Sequence, residues 1–304
     1  MKMPRISIIT PSFNQGAYIE ETIRSVVEQG YPEVEMIVID GGSRDDTVDI
    51  LRKYADRIAH WESEKDRGQT HAINKGLARA TGDVWAYLNS DDLITPGALK
   101  RVAEIFSDPA VDWIGGITDI FDTNGSHDTV TPLEPPRQIE YLTPWQRSVQ
   151  HVFSCSNVTY MRRSIYEKLG GFDESYHYSM DMEYYTRAMF AGYKFHRVPE
   201  VLGKWRWHDQ CKTVRDGNAY RFTEEEIRIA ETHIDHLQPA ERAELAREIA
   251  RQRKWFSIRQ IVVGDANSSR RSRLASLLRA AAANPSLVFF RPWLGAIRQQ
   301  LFVS

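Results

Sequence analysis

Asn89-Ser90-Asp91-Asp92 places two adjacent carboxylates where an apolar run, Val84-Trp85-Ala86-Tyr87-Leu88, gives out. Carboxylates held at a strand end and open to solvent are donors that Mg²⁺ and Mn²⁺ accept, with waters or phosphates completing the shell. A second reading is local. Thr95 and Pro96 have the form of a helix start, and the dipole of such a helix favours nearby negative charge by roughly 0.3–1 kcal/mol. Two further acids share the setting: Asp40 closes the run Glu35–Ile39 and precedes Gly41-Gly42-Ser43, and Asp66 follows the strand-like Ala59-His60-Trp61. An acid at a strand end can hydrogen-bond a ribose or base, although Asp-Gly-Gly is also good turn chemistry.

The elements that must position these acids are legible as an alternation. Ile6–Ile9 reads as a buried strand, and Ile19, Ile23, Val26 and Val27 recur at helical spacing before Gly30. The strand Glu35–Ile39 precedes a helix with Val48, Leu51 and Tyr54 on one face, for which Ser43 and Asp46 are the expected start. A small-residue helix over 70–80, a strand over 84–88 and a helix over 96–106 continue the series. Such alternation predicts an α/β fold with a mostly parallel, doubly wound sheet and flanking helices, whose ligands bind outside the carboxyl ends of the strands. Asp40, Asp66 and Asp91-Asp92 should then share one edge. Beyond Val111 the pattern loosens, with Pro132, Pro135, Pro136 and Pro144 marking loops. Residues 178–193 read as a helix carrying Asp181 and Glu183, and from Glu224 the chain reads as helical and Arg-rich. The expected division is a domain over 1–217 and a basic helical extension over 218–304.

Composition narrows the function classes. The 304 residues are 42% hydrophobic with 11% aromatic, enough for a large core. The net charge of −2 conceals an asymmetry: residues 240–304 carry 12 basic and 4 acidic side chains, leaving the first 239 acidic. An acidic main body argues against nucleic acid as a partner. Two cysteines make no disulfide framework, and neither an apolar leader nor a run of about 18 apolar residues is visible, so a cytoplasmic location is expected. After the first strand stands Thr10-Pro11-Ser12-Phe13-Asn14, with no G-x-G-x-x-G and no P-loop. A sugar nucleotidyltransferase would be expected to carry a Gly- and Lys/Arg-rich loop there.

In order along the chain come "SIITPSFNQGAYIEETIRSVVEQ", "VIDGGSRDDTVDIL", "DRGQTHAINKGLARATGD", "LNSDDLITPGAL", "GGFDES", "MDMEYY" and "WRWHDQCKT". Together they resemble the family 2 inverting glycosyltransferases of the GT-A fold, over about residues 6–213. The resemblance implies a nucleotide-diphosphate sugar donor, a carbohydrate or lipid-linked acceptor, Mn²⁺ or Mg²⁺ as cofactor, and work in cell-surface polysaccharide or glycan assembly. Pro11 and Phe13 match the turn that contacts the base, Asp40 the acid on base or ribose, and Asp66 a second acid on the nucleotide side. Asn89-Ser90-Asp91 matches the D-x-D metal motif, with Asp91 at the usual contact; Asp92, the adjacent strand-end acid, is expected as a further metal ligand from its position. Asp181 matches the general base, and His208 a residue that approaches the diphosphate or metal.

Two departures stand out: Asn89 replaces the first Asp of D-x-D, and Met180 precedes Asp181 where the family commonly has Glu. The Q-x-x-R-W motif of processive synthases is absent, which favours single transfer. Read without the resemblance, Asp181 is equally a helix acid pairing with Arg187 or Lys194, and His208 a histidine in an aromatic belt with Trp205 and Trp207. Alternatives to the transferase are a catalytically silent nucleotide-sugar or carbohydrate-binding module and another metal-dependent nucleotide-sugar enzyme. Residues 210–217 have the make-up of a lid over a bound donor. The tail, with Leu274, Leu277, Leu278 and Ala281 beside Arg270, Arg271, Arg273 and Arg279, suits either an anionic membrane surface or packing against the protein or a second copy.

Overall fold

In the computed structural model, residues 3–132, 137–144, 155–212, 218–263 and 270–283 are described. Ile6–Ser12 (β1), Val34–Asp40 (β2), His60–Ser63 (β3) and Val84–Tyr87 (β4) alternate with helices Ile19–Val27 (α1), Thr47–Lys53 (α2) and Gln69–Arg79 (α3). β3, β2, β1 and β4 are neighbours in that order and all run parallel. The loops after β2, β3 and β4 therefore open on one edge, as the alternation predicts.

Beyond β4 the sheet becomes mixed. Leu93–Ile94 (β5), Trp113–Asp122 (β6), Gly125–Val130 (β7), Thr159–Arg162 (β8) and Phe195–Arg206 (β9) extend it, with Ala98–Phe106 (α4), Arg163–Leu169 (α5) and Met180–Phe190 (α6) between them. The order is β3-β2-β1-β4-β8-β6-β9-β5, with β7 on β6. β8 is antiparallel to both β4 and β6, while β6 and β9 are parallel. Hairpins and antiparallel returns carry no strict strand–helix alternation, which is why the pattern loosens after Val111.

β1 is buried along its whole length because both faces are covered. Ile6 and Ile8 pack with Ile19, Ile23 and Val26 of α1 and with Leu99, Val102 and Phe106 of α4. On the opposite face α3 lies so close to β1 that a Cβ on Gly76 would stand 2.4 Å from Cγ2 of Ile9. The small-residue character of α3 has its reason there.

Two expected helix starts are displaced. α4 begins at Ala98 after Gly97 (φ 81°), not at Pro96. Thr95 instead donates its hydroxyl to the Val201 carbonyl at 2.7 Å, and Leu93-Ile94 pairs with Lys204-Gly203 as a short strand. Competition from this cross-sheet pairing outweighs the local capping signal. Five residues thus separate Asp92 from the start of α4, more than the one turn over which its dipole acts, which counts against the helix-start reading of the acid pair. Likewise α2 begins at Thr47, and Ser43 is drawn to Asp40 rather than capping it.

The chain divides into two units: residues 1–137 with 146–208, and residues 138–145 with 209–304. Within the second, Asn218–His233 (α7) packs on Pro239–Val263 (α8), and α8 on Arg270–Ala283 (α9). Leu277 and Ala281 of α9 are buried, and Leu278 is exposed. The expected lid falls largely, and the tail beyond 283 entirely, outside the described residues. No helix among the described residues is long and apolar enough to cross a membrane.

Candidate active site

Ser12, the last residue of β1, is the register partner of Asp40, the last of β2, so their loops leave the sheet side by side. Asn14 takes a positive φ of 53° and ties the loops together: its N–H donates to Ser43 Oγ (2.6 Å) and its Oδ1 accepts from the Arg44 N–H (2.9 Å). The turn leaves Phe13 59% exposed, an aromatic face open at the strand edge, whereas Pro11 is buried within β1.

Asp40 is fully buried. Its carboxylate accepts from the Gly42 and Ser43 N–H groups (3.1 and 2.8 Å) and from the Ser43 and Ser63 hydroxyls (2.5 and 2.6 Å). Turn building is therefore one thing this acid does. Asp66 lies directly beside it: a Cβ on Gly41 would come within 3.0 Å of Asp66 Oδ2. Asp66 Oδ1 accepts from the Gly68 N–H at 2.8 Å.

At the end of β4 the two adjacent acids part company. Asp92 is 2% exposed, and its carboxylate accepts from the Arg206 N–H at 3.0 Å and from Asn89 Nδ2 at 3.2 Å. Burial, with the Asp91 charge adding, holds its carboxyl well above the usual range. Expected as a metal ligand, Asp92 is instead turned inward in this structure, because β9 covers it. Asn89 sits between Asp92 and Gln69 at the start of α3, whose Nε2 donates to Asn89 Oδ1 at 2.8 Å. A neutral amide can both donate and accept in this chain of contacts, which a carboxylate cannot.

Asp91 faces the other way. Its Oδ2 lies 3.0 Å from Nε2 of His208, a residue more than a hundred positions later in the chain. The His208 ring packs at a tilt of 36° against that of Tyr18, centroids 4.7 Å apart, and its buried Nδ1 has no partner among the described residues. One carboxylate oxygen and one imidazole nitrogen form a donor set that suits a hard-to-borderline divalent cation such as Mn²⁺. These residues fit the metal that D-x-D implies.

Asp181 opens α6. The Tyr87 hydroxyl, at the end of β4, lies 3.5 Å from its Oδ2, and Oδ1 accepts from the Met182 N–H at 2.8 Å. Arg187 does not pair with it; the guanidinium binds Glu183 at 2.7 and 2.9 Å. Burial, with the Asp181 charge adding, pushes the Tyr87 and Tyr185 hydroxyls well above their usual values. Burial also pushes the Cys155 thiol up to about 12, with both Asp181 and Asp92 contributing. Tyr87, whose hydroxyl lies 3.5 Å from Asp181, is the last residue of β4, so Asp181 on α6 stands at the strand end that leads to Asp91.

A family model described as glycosyl transferase family 2 matches residues 7–170, more than half of the chain. The chain belongs to glycosyl transferase family 2. This glycosyltransferase is 42% identical over 104 residues to a Bacillus subtilis glycosyltransferase, TuaG, named for teichuronic acid biosynthesis; the match covers 33% of this chain and 41% of the relative. Its fold is that of the first 349 residues of TarS from S. aureus, solved with UDP-GlcNAc (TM-score 0.64, 17% identity, 97% of this chain and 90% of that one). The mannosyltransferase PcManGT of Pyrobaculum calidifontis, solved with GDP-Man and Mn²⁺, is similar at TM-score 0.55 and 21% identity, over 99% of this chain and 85% of that one. The fold is thus GT-A.

The motifs single out Asp91, His208 and Asp181 as site residues. Tyr18, Gln69 and Arg206 stand inside the same motifs without an assigned role, and Tyr87 lies just outside one. Arg206 and His208 both reach Tyr18, a meeting that no spacing in the sequence announces.

Proposed function

We propose that this glycosyltransferase is inverting and moves a sugar from a nucleoside-diphosphate donor to an acceptor hydroxyl in cell-surface polysaccharide or glycan assembly. The observation that carries the reading is the 3.0 Å meeting of Asp91 and His208 at the sheet edge that also holds Phe13, Asp40 and Asp66. Phe13 would lie against the base, with Asp66 on the base and ribose side and the buried Asp40 holding the turn beneath them. Asp91, with His208 beside it, would hold Mn²⁺ or Mg²⁺. When bound, the cation supplies charge neutralisation for the departing diphosphate. Asp92 braces the turn from inside rather than serving as a second ligand.

Asp181 accepts the proton of the acceptor hydroxyl as that oxygen attacks the anomeric carbon from the face opposite the diphosphate. General-base catalysis of this kind is worth about 10²- to 10⁴-fold. Tyr87 and the Met182 N–H hold the carboxylate in orientation. The donor sugars bound by TarS and PcManGT, and the Mn²⁺ of the latter, support a nucleotide-sugar donor and a divalent cation here.

Thermal stabilisation by UDP, GDP and dTDP sugars, each with Mn²⁺, Mg²⁺ or EDTA, tests the donor side on wild type and Asp91→Ala. A metal-requiring shift for one nucleotide class, absent in Asp91→Ala, is expected. If no nucleotide gives a metal-dependent shift, the donor reading fails and a silent binding module takes its place.

We further assign residues 1–217 as the catalytic domain and 218–304 as an extension that brings the enzyme to the inner face of an anionic membrane, where a lipid-linked acceptor resides. The basic charge of the extension supports this. Burial of Leu277 and Ala281 leaves residues 284–304 as the apolar segment able to act. Co-sedimentation with anionic liposomes should be lost on removal of residues 284–304. Equal sedimentation of both chains would instead favour packing against the protein or a second copy.

A further inference from the structure

Arg206, the last residue of β9, joins several groups at the site. Its N–H donates to Asp92 Oδ1 at 3.0 Å, and its Nε donates to the Asp91 carbonyl at 2.9 Å. Its Nη2 reaches Glu21 Oε2 at 2.5 Å. The guanidinium lies over two rings, Tyr18 at 5.2 Å and Phe121 at 4.5 Å. Only 15% of the side chain is exposed, against 59% for Glu21. Tyr18 is itself the ring against which His208 packs, so Tyr18, Arg206, His208, Asp91 and Asp92 form one connected cluster.

Two long-separated segments must meet for Asp91 and His208 to face each other. Pairing with β9 runs through Leu93–Lys204 and Ile94–Gly203 and continues at Thr95, whose N–H donates to the Leu202 carbonyl at 3.1 Å, all on one side of the acid pair. Past that point the Arg206 main chain holds Asp92 and its side chain holds Asp91. His208 follows two residues later and, like Arg206, reaches Tyr18.

We infer that Arg206 is a positioning residue for the metal-side pair: it staples the Asn89–Asp92 turn to the end of β9 and thereby sets the Asp91–His208 geometry. The inference rests on the proposal that Asp91 holds a cation. Arginine suits the task because its planar fork donates in two directions while its faces stack on Tyr18 and Phe121; a lysine ammonium has neither the plane nor the fork. A guanidinium beside a cation site would oppose the cation's charge. Glu21 pairs with that charge on the solvent side and offsets it.

Mn²⁺ binding to the full chain, followed by electron paramagnetic resonance without nucleotide or sugar, tests the staple independently of turnover. Arg206→Met removes the fork and keeps the backbone contact to Asp92. Its Mn²⁺ affinity should fall about tenfold, at the low end of what outer partners of metal ligands contribute. Arg206→Lys should fall between it and wild type. A melting temperature in EDTA that stays near the wild-type value would show that the effect is on geometry rather than on folding. Glu21→Gln, at an exposed position that does not threaten the fold, should weaken Mn²⁺ about threefold, as for a partly exposed ion pair. Unchanged Mn²⁺ affinity in folded Arg206→Met, or in Glu21→Gln should the former not fold, would overturn the staple. Absence of Mn²⁺ binding by wild type would remove the metal reading itself, and the staple with it.

Discussion

Asp181→Asn is expected to lower kcat by about 10²- to 10⁴-fold, the range that general-base catalysis supplies. The substitution keeps volume, and the amide oxygen can still accept from the Met182 N–H that now binds Oδ1 at 2.8 Å. Folding and donor binding should therefore survive, and the loss should sit in kcat rather than in the KM for donor. Transfer assays with saturating donor, together with thermal stabilisation by the same nucleotide, separate the two. A variant that retains wild-type kcat would dismiss Asp181 as the base. A variant that loses donor binding and kcat together would make Asp181 a structural residue of α6.

Glu35→Ala is expected to destabilise the protein by about 3–5 kcal/mol, the scale for breaking a buried charged network. Glu35 is 5% exposed and lies at the sheet edge opposite the site. It accepts from the Ser7 hydroxyl, the Thr81 N–H (2.5 Å) and hydroxyl (2.8 Å), the Gly82 N–H (3.0 Å) and Arg5 (3.0 Å). Alanine would leave the Thr81 and Gly82 N–H groups buried without this acceptor.

The same network makes stability depend on pH. Burial acts to raise the Glu35 carboxyl, but hydrogen bonds from Ser7 and Thr81, with the Arg5 charge, outweigh it, and the net displacement is downward. A carboxyl lowered in the folded state contributes stability above its unfolded value of about 4.3. That contribution is lost as pH falls through the depressed native value. Urea denaturation between pH 7 and pH 3 should show wild type losing stability over this window and Glu35→Ala losing less. Parallel curves would mean that Glu35 contributes nothing to the acid limb.

β1, β2 and β4 were legible because each is buried on both faces. They read as largely apolar runs, and α1 and α4 as apolar stripes. Local periodicity determines such elements, and parallel alternation then places their carboxyl ends together. Asp40, Asp66 and Asp91 could thus be assigned to one edge from their positions alone. The seven motifs in order identified the family for the same reason: their spacing follows the spacing of the elements.

Whatever depends on contacts between distant segments could not be read in this way. Asp91 and Asp92 are identical and adjacent in sequence, yet one faces His208 and the other is buried beneath the Arg206 backbone. Thr95 and Pro96 signal a helix start that β5–β9 pairing displaces to Ala98. Sequence by itself determined the parallel half of the sheet, the edge where the acids gather and the residues that carry the family's motifs. Tertiary structure alone decided which acid is open and how His208, Tyr18 and Arg206 reach it. Periodicity reports a residue's relation to its own helix or strand, and these choices are made by hydrogen bonds and ring contacts between segments more than a hundred residues apart.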